Sequence, residues 1–275
     1  MFSRSWRQLS RRYSQAVTFR TNEYSPTQHN EKQEGLFYTM KPELCKQLFS
    51  HGGFPKSFMQ QTKTFTETAV MVRQPALDLI SCIKASDLNH PAIRYVLYGE
   101  KGSGKSLTLA HVLHYAHEDG YLIVHVPWVN TLYFRCKTFV AIDGFNSFFY
   151  PLTRLNTPTK KAVKPEEVTL TTSFLKLTLN DWTNAVIVVT ADQLAVPDDH
   201  QESFLPRYLL YKKGFDHLDP FVPIEVGRYN EKEFQSCVAY YRDRLWLRGP
   251  AEVETELKFT SACNPYRFME QCAPL

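Results

Sequence analysis

Residues 93–106 read Ile93-Arg94-Tyr95-Val96-Leu97-Tyr98-Gly99-Glu100-Lys101-Gly102-Ser103-Gly104-Lys105-Ser106. A compact, largely apolar run ends at Tyr98, a glycine-rich turn follows, and a helix-like segment extends from Lys105 to His117. Positions 99–106 satisfy G-x-x-x-x-G-K-[ST] at every fixed position. The pattern has a physical cause. Gly99, Gly102 and Gly104 let the backbone curl so that successive N–H groups point inward as an anion nest. The start of the following helix adds its positive end. Lys105 would neutralise the β- and γ-phosphates of a nucleotide, and the Ser106 hydroxyl would enter the shell of a Mg²⁺ ion. A glycine turn that merely connects two elements is the alternative, and the order strand, loop, helix speaks against it.

Working outward, three more short runs have strand character: Tyr121 to Val126, Thr138 to Ile142 and Ala185 to Val189. Each is apolar and rich in β-branched or aromatic residues, which predicts strands buried on both faces of a parallel sheet. The fold class is therefore α/β, a P-loop NTPase of AAA+ or STAND-like type with flanking helices. Phe139-Val140-Ala141-Ile142-Asp143 is an apolar strand ending in a carboxylate, so Asp143 is expected to hold Mg²⁺ through a water. The next residue is Gly144, where an ATPase of the AAA+ type usually carries a glutamate as general base. At most slow hydrolysis is expected, unless Asp143 or a distant group orients the water. Thr190, after the Ala185 run, sits where such folds place a sensor of the γ-phosphate, and it also suits a cap on the strand. The N-K-x-D signature that reads guanine is absent, so spacing alone stops at a purine nucleotide.

Beyond the sheet, Phe221 to Val226 reads as a strand, and Asn230 with Glu233 forms a capping box for a helix from Glu231 to Leu245. A last helix begins near Pro265, and the two would form a small C-terminal lid over residues 227–275. Tyr240, Tyr241 and Trp246 fall in that lid as core or as a protein interface. The nucleotide-binding domain is assigned to 90–226, and 21–89 to an arm followed by leading helices. Residues 21–40 are polar and read as an arm that orders against a partner. After it, Leu44, Leu48 and Phe49 form one helical face and Val70, Leu77 and Ile80 a later one.

Composition excludes several classes. With 43% apolar and 22% charged residues in 275, the chain is globular, and no apolar run approaches the roughly 20 residues of a membrane span. The net charge of +4 is too mild to argue for nucleic acid by itself. Six cysteines without a C-x-x-C pair point to reduced, buried thiols rather than disulfides or zinc. His111, His114 and His117 recur at helical spacing and read as a partly solvated helix face, not a metal site. Residues 1–20 carry Arg4, Arg7, Arg11, Arg12 and Arg20 and no acid, and Phe2, Trp6, Leu9 and Tyr13 would share a helix face. That is the make-up of a mitochondrial transit peptide, with a basic RNA-binding tail as the alternative.

Several stretches together resemble the death-associated protein three family, the GTP-binding proteins of the mitochondrial ribosomal small subunit. They are Val72-Arg73-Gln74-Pro75-Ala76-Leu77, Pro91 to Tyr95 with Leu97 to Gly102, Ala141 to Gly144, and Lys213 to Asp216. Leu218 to Ile224, Tyr229-Asn230 with Lys232 to Phe234, and Asn264 to Leu275 complete the resemblance. It implies GTP or GDP with Mg²⁺ in the pocket and residence in the mitochondrial matrix. It also implies a seat in the head of the small subunit, among its proteins and rRNA and in contact with the large subunit, and a link to apoptosis. The nucleotide would then be mainly structural or regulatory; an active NTPase and a scaffold with an unused loop are the competing readings. The chain departs from the family in one place: only Trp128 to Lys137 joins the second strand to the Asp143 strand, where family members carry a long helical stretch.

Overall fold

The computed structural model describes residues 18–50, 52–126, 136–151, 153, 155, 160–193, 202–250 and 252–273. The transit segment up to residue 17, and residues 128–135 of the short link, lie outside the described residues. The strands are β1 (Phe37–Met40), β2 (Thr68–Met71), β3 (Ile93–Tyr98), β4 (Leu122–Val126), β5 (Thr138–Ile142), β6 (Ala185–Thr190) and β7 (Val222–Glu225). The helices are α1 (Pro42–Phe49), α2 (Lys56–Phe65), α3 (Gln74–Ala85), α4 (Lys105–Glu118), α5 (Thr169–Leu177), α6 (Pro206–Leu209), α7 (Tyr211–Leu218), α8 (Glu231–Asp243), α9 (Glu252–Ser261) and α10 (Pro265–Cys272).

Five strands form a parallel sheet in the order β4-β5-β6-β3-β7. β3 lies between the fourth and fifth strands of the sheet unit in chain order, so the chain leaves it in one direction and returns on its other side. That reversal opens a crevice at the carboxyl end of β3, where ligands of open α/β sheets bind. The two-residue period of the strands divides the core. Tyr95, Leu97, Phe139, Ala141, Val186 and Val188 pack with α3 and α4 on one face. Val96, Val140, Ile142, Ile187 and Val189 pack with Leu209, Leu210 and Leu218 on the other.

Burial on both faces holds for β5 and β6, every residue of which is buried. It fails for β4, because no described strand pairs beyond it and Leu122 is left 39% exposed at the sheet edge. Its hydrogen-bonding to β5, from Leu122 opposite Thr138 to Val126 opposite Ile142, does place it in the sheet despite the short link. β7 is the other edge, and only there can Pro223 be accommodated without costing a ladder hydrogen bond.

A two-stranded antiparallel ribbon, β1 with β2, precedes the sheet. Val70 therefore belongs to a strand and not to the helical face of Leu77 and Ile80; α3 begins only at Gln74, with Pro75 in its first turn. The lid holds three helices, α8, α9 and α10, rather than two, and α8 stops at Asp243 because Leu245 turns left-handed (φ 60°). Phe37, Phe65 and Met71 pack against Phe234, Tyr240, Tyr241 and Phe268, so the aromatic residues of the lid are its core. Cys237 and Cys272 are buried and free as expected, but Cys82 and Cys136 are exposed. No described helix is long and apolar enough to cross a membrane.

The arm at 21–40 folds on its own chain. Pro26 to Gln28 and Glu31 to Gln33 form short 3₁₀ turns, and the arm ends in β1. His29 is thereby seated on α4, with its Nδ1 2.9 Å from Nε2 of His111 and its ring 4.8 Å from that of Tyr38. This corrects the reading of the α4 histidines as a solvated face: His111 and His114 are buried beneath the arm, and only His117 is exposed. No group of three or more described His, Cys, Asp or Glu side chains is placed to hold a metal.

Hydrogen-bond arithmetic fixes the state of the pair. The Glu23 carbonyl, 3.1 Å from His29 Nε2, can only accept, so His29 Nδ1 must accept from His111 Nε2. His111 Nδ1 is then bare and has no partner. Burial depresses His111 well below the ordinary histidine value, lowers His29 as well, and brings His114 to about 4 against the pull of Glu118 at 3.2 Å. Such rings are neutral when folded and protonate more readily when unfolded. The stability they confer is present above about pH 6.5 and is lost as the pH falls toward 4. Thermal unfolding at pH 7.5 and pH 5 should show a midpoint several degrees lower in acid. His111→Leu should be less stable at pH 7.5 yet lose less on acidification, and an unchanged difference would contradict this account.

Candidate nucleotide-binding site

The loop from Gly99 to Gly104 leaves β3 and enters α4 with Gly104 as N-cap. Two glycines are required by what lies against them. A Cβ on Gly99 (φ 151°) would stand 2.3 Å from the carbonyl oxygen of Val226, and one on Gly102 (φ 81°) 2.5 Å from Cβ of Tyr266. Lys105 is buried, and its Nζ donates to the carbonyls of Gly99 and Glu100, both at 3.0 Å, with Asp192 Oδ1 at 3.7 Å. Burial lowers its pKa, and Asp192 and Asp143 oppose that shift. The ammonium thus lies inside the curl of the loop, where the phosphates of a nucleotide would meet it.

Ser106 Oγ donates to Asp143 Oδ2 at 2.8 Å. The Thr190 hydroxyl donates to Asp143 Oδ1 at 2.5 Å and accepts from the Gly144 N–H at 2.8 Å. Parallel pairing makes this possible, since β5 and β6 end side by side with Ile142 opposite Val189. Of the two readings of Thr190, the geometry accounts for the cap: its single hydrogen is spent on the carboxylate, and it positions Asp143 rather than facing a phosphate. Ser106 and Asp143 form a pair of hard oxygen donors beside a cationic loop, a chemistry that would fit a divalent cation such as Mg²⁺.

Glu100 and Lys101 contribute backbone rather than side chains. The Glu100 carboxylate is held outward by both arms of Arg228 at 2.8 Å, which keeps it below the usual carboxylate range. Lys101 N–H donates to Gln193 Oε1 at 2.8 Å, and the Lys101 carbonyl accepts from Asn264 Nδ2 at 3.0 Å. The Gly102 carbonyl accepts from Tyr266 N–H at 3.1 Å. The lid is therefore hydrogen-bonded to the loop through the carbonyls of Lys101 and Gly102.

Sequence reasoning missed Arg73 altogether. Its guanidinium donates to the Ser103 carbonyl at 2.6 Å, to the carbonyls of Gly227 and Arg228 at 3.0 and 3.2 Å, and to Glu233 at 2.9 and 3.2 Å. The pair is buried, with 8% and 3% of the two side chains exposed. Glu233 also accepts the Asn230 N–H at 3.0 Å, so the capping box foreseen for α8 is the same carboxylate that orients Arg73. The only available signal was the presence of Arg73 within a run shared with a family. A cavity of about 500 Å³ extends from Lys105 and Ser106 between the ribbon, α2 and the lid, and Arg73 lies in its wall.

A parallel sheet with its glycine loop at the reversal of strand order, a carboxylate on a neighbouring strand and a helical lid defines a P-loop NTPase-like α/β protein. Within that class the relationship is specific. The family described as mitochondrial ribosomal death-associated protein 3 matches residues 70–140 and 130–271, and the chain belongs to it. It is 30% identical to the "Small ribosomal subunit protein mS29" of Bos taurus and to that of Mus musculus, in each case over 351 positions and 93% of this chain. Those alignments cover 88% and 89% of the relatives. They are longer than the 275 residues here, so both relatives carry residues that this chain lacks. The two matched family segments meet at 130–140, across the short link.

Replacing Arg73 by methionine leaves the Glu233 carboxylate buried without its partner, which should cost about 3–5 kcal/mol. Urea unfolding should show the corresponding fall in midpoint. Arg73→Lys, which keeps the charge but cannot reach all five acceptors, should restore only part of it, and full restoration would reduce the role of Arg73 to charge alone.

Proposed function

We propose that this chain is a component of the small subunit of the mitochondrial ribosome, holding GTP or GDP with Mg²⁺ in the Gly99–Ser106 loop chiefly as a structural ligand. Family membership and the names of its relatives support the ribosomal part. The nucleotide part is carried by one observation: Lys105, Ser106 and Asp143 converge from the loop and a separate strand, and the groups around them are already committed to holding them there. No glutamate follows Asp143 to serve as general base. Gly144 follows Asp143 and offers only an N–H, which Thr190 takes, and Asn146 is engaged with the backbone of Asp192 through both ends of its amide. Turnover is therefore slow, if the nucleotide is hydrolysed at all. The arginine-rich first twenty residues direct import to the matrix, where ribosomal proteins and rRNA of the small subunit are its neighbours and the large subunit is met across the interface. A link to apoptosis is the remaining expectation from the family.

Purified protein freed of nucleotide should be stabilised by GTP-Mg²⁺ or GDP-Mg²⁺, by about 2.7 kcal/mol at 100 times the dissociation constant, read as a rise in thermal midpoint. Phosphate release in the same samples should fall several orders of magnitude below the roughly one per second of an ordinary enzyme. Lys105→Ala should abolish the midpoint shift. Rapid release would instead mean an active NTPase, and no shift with any nucleotide would mean an unused loop. Separately, the tagged chain from mitochondrial lysate should co-sediment with small-subunit rRNA, and free sedimentation would overturn the ribosomal assignment.

A further inference from the structure

The cavity that begins at Lys105 and Ser106 does not end with the phosphates. It continues between α2 and the lid into a mostly apolar chamber walled by Phe58, Met71, Tyr229, Tyr241 and Met269. Its volume of about 500 Å³ is that of a site for a nucleotide-sized ligand. With phosphates at Lys105, the heterocycle of a bound nucleotide enters this chamber, where aromatic and thioether side chains suit a flat ring.

One side chain in the chamber can distinguish one purine from another. Gln61, on α2, is 6% exposed, and its Oε1 accepts from the Tyr241 hydroxyl at 3.2 Å. The Tyr241 ring is itself fixed, stacked on Phe268 at 5.5 Å and 5.4 Å from Trp246. The oxygen of the Gln61 amide is engaged by Tyr241, and its N–H₂ has no hydrogen-bond acceptor among the described groups, so a donor is left open to the chamber. The difference between purines lies at the group facing such a donor: guanine and hypoxanthine carry a carbonyl oxygen at C6, which accepts, whereas adenine carries an amino group, which donates. An amino group set against this N–H₂ puts two donors face to face without an acceptor, which a hydrogen-bonding site disfavours.

We propose that Gln61 is the specificity-determining residue of this pocket, donating to the 6-oxo group of the purine and thereby selecting guanine-type over adenine nucleotides. The inference rests on the reading of Lys105 and Ser106 as the phosphate end. It also gives the lid a part in base choice, since Tyr241 on α8 holds the Gln61 amide in the chamber wall.

The full-length protein would be titrated with the Mg²⁺ complexes of GTP, inosine triphosphate and ATP, and with inorganic tripolyphosphate as a probe of the phosphate end alone. The wild type should bind GTP and inosine triphosphate within a few-fold of each other, because both carry the 6-oxo group, and ATP at least about tenfold more weakly. In Gln61→Leu, GTP and inosine triphosphate should weaken about tenfold or more, to the level of ATP, while tripolyphosphate binding stays unchanged. Gln61→Glu keeps the size and the acceptor for Tyr241 but replaces the donor, so it should lose the guanine preference as well; retained tripolyphosphate binding shows that either variant is folded. Guanine preference surviving in both variants overturns the assignment of Gln61, as does a wild type that binds ATP as tightly as GTP. A wild type that binds neither nucleotide nor tripolyphosphate overturns the phosphate-site reading itself.

Discussion

The buried guanidinium of Arg73 is the constraint on which the rest of the site depends. A charge in that position must be matched by hydrogen bonds on all sides, and its acceptors come from three parts of the chain: the loop at Ser103, the segment Gly227–Arg228, and Glu233 on α8. Satisfying it fixes the distance between β2, the phosphate loop and the lid together. The loop cannot relax outward without stripping an acceptor from a buried cation. The lid cannot swing away without parting Glu233 from Arg73.

The other lid contacts act in the same direction. Asn264 and Tyr266 take the outer carbonyls of the loop, and Arg228 takes the Glu100 carboxylate. The loop carbonyls of Lys101, Gly102 and Ser103 are each satisfied by a side chain or N–H from another part of the chain. Gly99 is pressed against Val226, which is hydrogen-bonded to the end of β3, and Gly102 against Tyr266 of the lid. Lys105 occupies the inside and donates to the carbonyls of Gly99 and Glu100. A ligand carrying phosphate oxygens would exchange those two acceptors for stronger ones, with little movement of the chain around them.

The same economy extends to the N-terminal arm. His29 covers His111 and Tyr38, and Arg20 and Arg244 share Glu67 with the Tyr240 hydroxyl, so the arm is tied both to α4 and to the lid. The helix that carries Lys105 and Ser106 at its start is thus packed on one face by the sheet and on another by a segment whose composition alone suggested a loose strap. Polar residues such as His29 could be buried there because each ring nitrogen but one found a partner within the arm or on α4.

The local order of strand, loop and helix was legible in the residues, because its chemistry is contiguous. Gly99 to Ser106 specify a glycine-rich turn between strand and helix by their own spacing, β3, β5 and β6 are readable as apolar runs, and the Asn230–Glu233 capping box lies within four consecutive positions. The family was legible for a similar reason, through short runs scattered along the chain. What only the tertiary structure decided are the meetings of distant residues: Arg73 with Glu233, 160 positions apart, Gln61 with Tyr241, 180 apart, and Thr190 with Asp143 across adjacent strand ends. The order of strands also lies beyond periodicity, which could not show that β4 is an edge with Leu122 exposed or that Val70 pairs with Tyr38 in a ribbon. Periodicity records which face of an element is apolar. Which partner satisfies a buried charge, amide or ring nitrogen depends on the packing of whole elements, and that is settled only when they meet.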